Sequence, residues 1–261
     1  FLTMQTKQTI FLIHGAGSTG VEWKNFEIGF KKRGLDVIRT KLRHHHVGSI
    51  HSNIGNLSLN DYLSDLEKQI DELDHRPIII GHSMGGLLAL KLCERNKSNL
   101  GILITPAAPA GINAISLSVL RIFISNIFRW KFWKKPVPPN YKSARYGVLH
   151  DLSEAQAIEV FKTLSSAESG RALCEIGFPY LYKNCPSKVN FNRYSCKTLI
   201  IGCGRDRITP ISIARKLSVA LGDSADYHEF SKFSHYIMEN EEFHAIFKVC
   251  VNWLFEQNEL N

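Results

Sequence analysis

The stretch PIIIGHSMGGLLAL, residues 77–90, constrains the fold more than any other, because it predicts a strand, a sharp reversal and a helix in immediate succession. Pro77 to Ile80 is short, β-branched and bounded by a proline, which predicts a buried strand. Met84 to Glu94 is rich in Leu and Ala and predicts a helix. The chain must therefore turn within about two residues, which forces the residue at the apex, Ser83, into a strained backbone conformation. Gly81 and Gly85, two places either side, remove side chains that would collide where strand and helix cross. The pattern G-x-S-x-G thus lifts a serine hydroxyl clear of the sheet, above a helix N-terminus with free N–H groups. A turn whose serine only caps the helix would look the same locally, so a catalytic assignment needs partners elsewhere in the chain.

Two partners stand at the ends of later strands. CKTLIIGCGRDRITP predicts a buried strand from Thr198 to Ile201 with a glycine-rich exit, and Asp206 lies just beyond it. DYHEFSKFSHYIMEN predicts a short strand near Tyr227 to Phe230, with His235 five residues past its end. Taken singly, Asp206 could be an ion-paired loop residue or a helix cap, and His235 is one of 11 histidines. The serine, acid and imidazole placed at three strand ends are what a Ser-His-Asp triad requires. The exit of the strand LGILITP, another place for the acid, reads TPAAPAGIN and holds no carboxylate, leaving Asp206 as the choice.

QTIFLIHGAGSTGVEW predicts an apolar strand from Ile10 to Ile13 followed by His14, Gly15, Ala16 and Gly17. Small residues there let backbone N–H groups approach a ligand, so Ala16 and Met84, the residue after the serine, are the expected oxyanion donors through their N–H groups. GAGSTG also spells a dinucleotide-binding loop, but the second strand ends IRTKLR, with no acidic residue to hold a ribose.

Together HGAGSTG at 14–20, GHSMGG at 81–86, GRDRITP at 204–210 and FSHYIM at 233–238 resemble the α/β-hydrolase-fold serine hydrolases of the esterase, lipase and lysophospholipase type. The resemblance extends over nearly the whole chain. It implies an α/β-hydrolase fold with Ser83 as nucleophile, His235 as base and Asp206 as its orienting acid. It argues against relatives with an aspartate nucleophile. The family's two opening antiparallel strands have too few residues here, so a reduced, mostly parallel sheet of about six strands is expected. Those strands are expected at 10–14, 35–40, 77–82, 100–105, 197–202 and 226–230.

Residues 106–196 far exceed the crossover between two parallel strands. In the family this position holds a helical cap. The expected division is a hydrolase core of residues 1–109 and 196–261 and a cap of residues 110–195. Cap helices are expected at about 113–130, 153–165 and 168–176, with KPVPPNY as a rigid connector. From Arg95 to His150 there are nine Lys or Arg residues and no Asp or Glu, against a net charge of +8 for the whole chain. In SLSVLRIFISNIFRWKFW polar residues recur every three or four positions and leave a wide apolar face, and aromatic and basic residues alternate from Phe128 to Lys135. The simpler expectation is a helix packed on the core with a solvated basic stripe. Peripheral contact with an anionic membrane is the alternative.

RHHHVGSIH carries His44, His45, His46 and His51. Neighbouring side chains in an extended loop alternate in direction, so three in a row seldom meet one metal ion, and a loop rimming the pocket is expected instead. No metal, cofactor or nucleic-acid partner is called for. A chain that is 44% hydrophobic can bury one large core. No apolar run approaches the roughly 18 residues of a membrane span, and the opening FLTMQTKQT lacks a signal peptide's layout. The six cysteines have neither metal-ligand nor framework spacing and suggest free thiols in a reducing, cytoplasmic setting. The expected activity is hydrolysis of an uncharged or lipophilic carboxylic ester through an acyl-enzyme. The alternatives are a thioesterase or carbon–carbon hydrolase with the same triad, or a non-catalytic ligand receptor on the same fold.

Overall fold

A computed structural model describes residues 8–127 and 129–257, with only the backbone of Ser125 and Ile127. The opening segment 1–7, Phe128, where the aromatic and basic alternation begins, and residues 258–261 lie outside the described residues. In chain order the strands are β1 (Thr9–Ile13), β2 (Asp36–Arg39), β3 (Ile78–His82), β4 (Leu100–Ile104), β5 (Pro136–Val137), β6 (Glu168–Ser169), β7 (Lys197–Cys203) and β8 (Ala225–Phe230). Six of them form one parallel sheet in the order β2-β1-β3-β4-β7-β8, at the places expected from the apolar runs. β1, β3 and β4 are buried along their whole length, which is why they read as near-continuous runs rich in Ile and Leu rather than as an alternation.

Helices cover both faces. On one side lie α1 (Lys24–Lys31) and α9 (Asn240–Glu256), packed through Phe26, Phe30, Phe243 and Phe247. On the other lie α2 (Leu59–Asp71), α3 (Met84–Glu94) and α8 (Ser212–Leu221), contributing Leu63, Leu88 and Leu217 to a second buried layer. The helix α3 has almost no polar face because it is buried on nearly every side. Such a three-layer stack puts the C-terminal ends of β1, β3, β7 and β8 along one edge, where the crevice of a parallel sheet lies.

Between β4 and β7 the chain builds α4 (Leu117–Ile127), α5 (Tyr141–Gly147), α6 (Glu154–Leu164) and α7 (Gly170–Gly177), with β5 and β6 paired antiparallel. The sequence reading differs here in two respects. Asn140, placed above in a rigid connector, instead caps α5 by accepting a hydrogen bond from Ser143 N at 3.0 Å. Nor were the two-residue strands β5 and β6 anticipated, because they are too short to carry any periodic signal. Two buried carboxylates fix this segment to the rest of the molecule. Glu175 on α7 accepts from Ser58 Oγ and Leu59 N at the start of α2, both at 2.8 Å, and Glu168 on β6 reaches the loop after β1.

Candidate active site

Ser83 stands between β3 and α3 with φ 57° and ψ −123°, a conformation an L-residue adopts only when its surroundings impose it. The surroundings are visible in its neighbours. A Cβ on Gly81 would sit 2.1 Å from Gly85 O, and one on Gly85 would sit 2.2 Å from Ile13 O. Only glycine permits this crossing of β1, β3 and α3, and the turn is pinned by Ser83 N donating to Ile104 O at 3.0 Å.

His235, beyond β8, and Asp206, beyond β7, meet at this edge. His235 Nδ1 lies 2.6 Å from Asp206 Oδ2, with both side chains buried. The aspartate is itself held: Oδ1 accepts from the N–H groups of Ile208 and Thr209, each at 2.8 Å. Thr209 Oγ1 lies 2.8 Å from Oδ2 and 3.0 Å from Thr105 O. A carboxylate fixed this way accepts a hydrogen bond from the Nδ1–H of His235, which keeps the proton on that nitrogen and leaves Nε2 free to act as the base.

Ser83 and His235 line a cavity of about 210 Å³ together with Ala16, Glu22, Glu168 and Tyr236. A second cavity of about 130 Å³ also reaches Ser83 and is lined almost wholly by apolar groups, among them Met84, Leu120, Phe123, Phe132 and Leu173. Ala16 borders both cavities. Among the described residues, neither the Ala16 nor the Met84 N–H has a hydrogen-bond partner. All five residues singled out from sequence therefore converge on one place. The arrangement can present a hydroxyl, a free imidazole nitrogen and two free backbone donors to a carbonyl group.

Several residues of the site gave no catalytic signal in the sequence. His82 Nε2 donates to His235 O at 3.0 Å and so holds the backbone of the base. Burial, and then the neighbouring His235, keep the His82 pKa well below the ordinary imidazole value, so no second positive charge forms there. His14 is similarly neutral. Burial and the nearby His45 lower its pKa to about 3, while Nδ1 donates to Gly15 O and Nε2 accepts from Leu42 N. A polar residue at the end of a wholly apolar strand was the available clue for both.

Glu168 has four hydrogen-bonding partner atoms, as many as Asp206. Oε2 accepts from Gly17 N at 3.0 Å and from His45 Nε2 at 2.9 Å, and Oε1 accepts from Tyr62 OH at 2.8 Å and Ser169 N at 2.6 Å. Burial works against both charges. The Coulombic and hydrogen-bond contributions outweigh it, lifting the His45 pKa above, and holding the Glu168 pKa below, their ordinary values. The histidine run is thus divided, His45 turned inward to Glu168 and His44 stacked on His51 with ring centroids 3.7 Å apart. Among the described residues, no three His, Cys, Asp or Glu side chains are grouped to hold a metal ion. The Glu168 carboxylate on Gly17 N also occupies a donor that a dinucleotide phosphate would need, and would repel it.

The chain matches the alpha/beta hydrolase family over residues 10–243 and belongs to that family. By sequence alone, no curated protein matches it significantly. Among solved structures, a methylesterase from Arabidopsis is 14% identical with a TM-score of 0.70, covering 95% of this chain and 98% of its own. A monoacylglycerol lipase from Paleococcus ferrophilus is 19% identical with a TM-score of 0.70, covering 94% and 93%. A pyrethroid hydrolase from Sphingobium faniae is 15% identical with a TM-score of 0.66, covering 95% and 97%. At these identities the likeness establishes the fold.

Proposed function

We propose that the protein is a serine hydrolase that cleaves carboxylic esters of uncharged or lipophilic acyl groups through an acyl-enzyme. Ser83 attacks the carbonyl carbon while His235 Nε2 takes its proton, and the negative charge that develops on the carbonyl oxygen is met by the N–H groups of Ala16 and Met84. Asp206 orients the imidazole and stabilises its charged form. Collapse of the tetrahedral adduct breaks the ester C–O bond and passes the proton to the departing alcohol. Water, activated by the same imidazole, then attacks the acyl-serine and regenerates Ser83. These steps call on no cofactor. The apolar cavity suits the acyl chain, and the larger one beside Glu22 and Tyr236 suits the alcohol. Residues 110–195 serve as a cap over both.

The observation that carries the reading is Ser83 held at φ 57° in the cavity that His235 lines, with His235 bonded to Asp206 at 2.6 Å. The structural relatives named as a methylesterase and as a monoacylglycerol lipase support ester hydrolysis as the reaction. Six free thiols, five of them buried, accord with the proposed cytoplasmic location. The test is labelling by a fluorophosphonate probe, lost in Ser83→Ala, followed by rates on p-nitrophenyl esters of increasing chain length and on matched thioesters. A purified protein that neither labels nor turns over any of these would favour the ligand-receptor alternative, and the hydrolase reading would fall.

A further inference from the structure

The apolar surface of α4 does not pack wholly on the molecule below. Ile122 is buried, but Leu117 is 87% exposed, Ile124 53% and the following Trp130 75%. Across the surface, Tyr180 is 76% and Leu181 81% exposed. The segments that carry them meet at the apolar cavity at Ser83: Phe132 lines it, and Ala114, Ile176, Gly177 and Phe178 line both it and the outer groove that Tyr180 and Leu181 border. Leu120, itself exposed, joins α4 to the same cavity. A patch of this kind on a globular surface marks a place of contact.

Its charge selects the partner. Lys131, Lys134 and Lys135 are exposed beside Trp130 and Trp133, and among the described residues none of the three is in an ion pair with a carboxylate. The whole segment from Arg95 to His150 carries nine cationic residues and no acidic one. A second copy of the chain brought to this face would meet the same positive charge. An anionic lipid surface complements it, offering negative headgroups to the lysines and an interfacial layer to Trp, Tyr and Leu.

We propose that α4, residues 130–135 and residues 178–181 form a docking face for anionic membrane, placed so that the mouth of the apolar cavity opens toward the lipid. The tryptophans and leucines sit at the headgroup boundary and the lysines reach the phosphates above them. Among the described residues no helix is long and apolar enough to cross a membrane, so the contact is peripheral. Delivery of a lipophilic ester from the bilayer to Ser83 rests on the hydrolase reading; the docking itself does not.

The test uses the whole chain and vesicles of phosphatidylcholine alone or mixed with phosphatidylglycerol, with binding read by flotation and by the Trp emission shift. Expected is binding to the mixed vesicles only, weakening as salt is raised. The triple variant Lys131→Gln, Lys134→Gln, Lys135→Gln should bind roughly 10- to 100-fold more weakly. It should hydrolyse a soluble short-chain ester at the wild-type rate. The double variant Leu117→Ser, Leu181→Ser, which keeps every charge, should also lose binding and the emission shift. The idea is overturned by equal binding to both vesicle types, by no binding at low salt, by a triple or double variant that binds like wild type, or by a stable dimer that hides the face. If vesicles are bound as expected but no ester is cleaved, it is the hydrolase reading that fails and the docking face that stands.

Discussion

His45 and Glu168 form a buried ion pair, Nε2 to Oε2 at 2.9 Å, that joins the loop after β2 to β6 and, through the same oxygen, to Gly17 N beside the proposed oxyanion donor Ala16. Ser166 N donates to Gly17 O at 2.8 Å from the same strand approach, so Gly17 is gripped on both sides of its backbone. The position of the Ala16 N–H is thereby set by a carboxylate that never touches the substrate carbonyl.

Glu168→Gln keeps the shape of the side chain but leaves the buried His45 without its counter-charge. The variant should lose about 3 kcal/mol of stability. It should also lower kcat roughly tenfold with a smaller change in KM, since a displaced oxyanion donor weakens transition-state binding more than substrate binding. The pH dependence follows from the two shifts. The lowered Glu168 pKa contributes stability above the ordinary carboxylate value that is lost as pH falls through the folded value. The raised His45 pKa contributes stability below the ordinary imidazole value that is lost as pH rises through the folded value. The gap in Tm between wild type and variant should therefore be widest between about pH 4.3 and 6.5 and narrow at more alkaline pH. A gap constant from pH 4 to 9, on the order of that range, would remove the ion pair from the account.

Ser83→Ala and His235→Ala should each abolish nearly all turnover, by on the order of 10⁴-fold or more, because nucleophile and base act as one unit. Both variants should remain folded, Ser83→Ala with little change in Tm and His235→Ala with a lowered one, since it leaves buried Asp206 without its partner. A Ser83→Ala protein that retained half the esterase rate would place the nucleophile elsewhere.

Asp206→Asn should fold, since the amide oxygen can still accept from Ile208 N and Thr209 N. Its kcat should fall by about 10³ to 10⁴, as an amide neither stabilises the imidazolium nor selects the Nδ1–H tautomer. Unchanged kinetics would call for another acid. Asp226 is poorly placed for it, being bonded to Lys197 Nζ at 3.1 Å and Trp253 Nε1 at 2.7 Å.

The reach of sequence reasoning here follows from the range of the interactions concerned. The strands β1, β3, β4 and β7 are legible because burial on both faces demands continuous apolar runs, and Ser83 because its turn excludes side chains at 81 and 85. Asp206 is legible because it follows such a strand within a few residues, and His235 because it stands five residues past β8, although that partly buried strand, ADYHEF, carries no apolar run. Glu168 is not, since its partners Gly17, His45 and Tyr62 lie 151, 123 and 106 residues away and no local pattern links them. For the histidine run, alternation correctly separates neighbouring rings, yet what waits on the inner side is a matter of tertiary packing. The apolar width of α4 is plain from sequence, but the expectation that it packs on the core fails at Leu117 and Ile124, because periodicity reports an apolar face and not what covers it.

Glu22 carries a prediction of opposite sign to that of Glu168. It is buried beside the larger cavity, Ser18 Oγ donates to Oε1, and Oε2 has no partner among the described residues. Burial raises its pKa above the ordinary carboxylate value, and the hydrogen bonds from Ser18 and nearby backbone offset this only in part. A raised carboxyl pKa means the folded state holds the proton longer than the unfolded chain, so this residue's contribution is full below the ordinary value and is lost as pH rises through the folded value. Glu22→Gln, which mimics the protonated side chain without the charge to be buried, should accordingly leave Tm unchanged near pH 4 and raise it at about pH 8. Thermal melts of both proteins across that interval are the check. A Gln variant less stable than wild type at the alkaline end would mean that Glu22 is held there as a carboxylate by a partner, and its unpaired oxygen would need a different explanation.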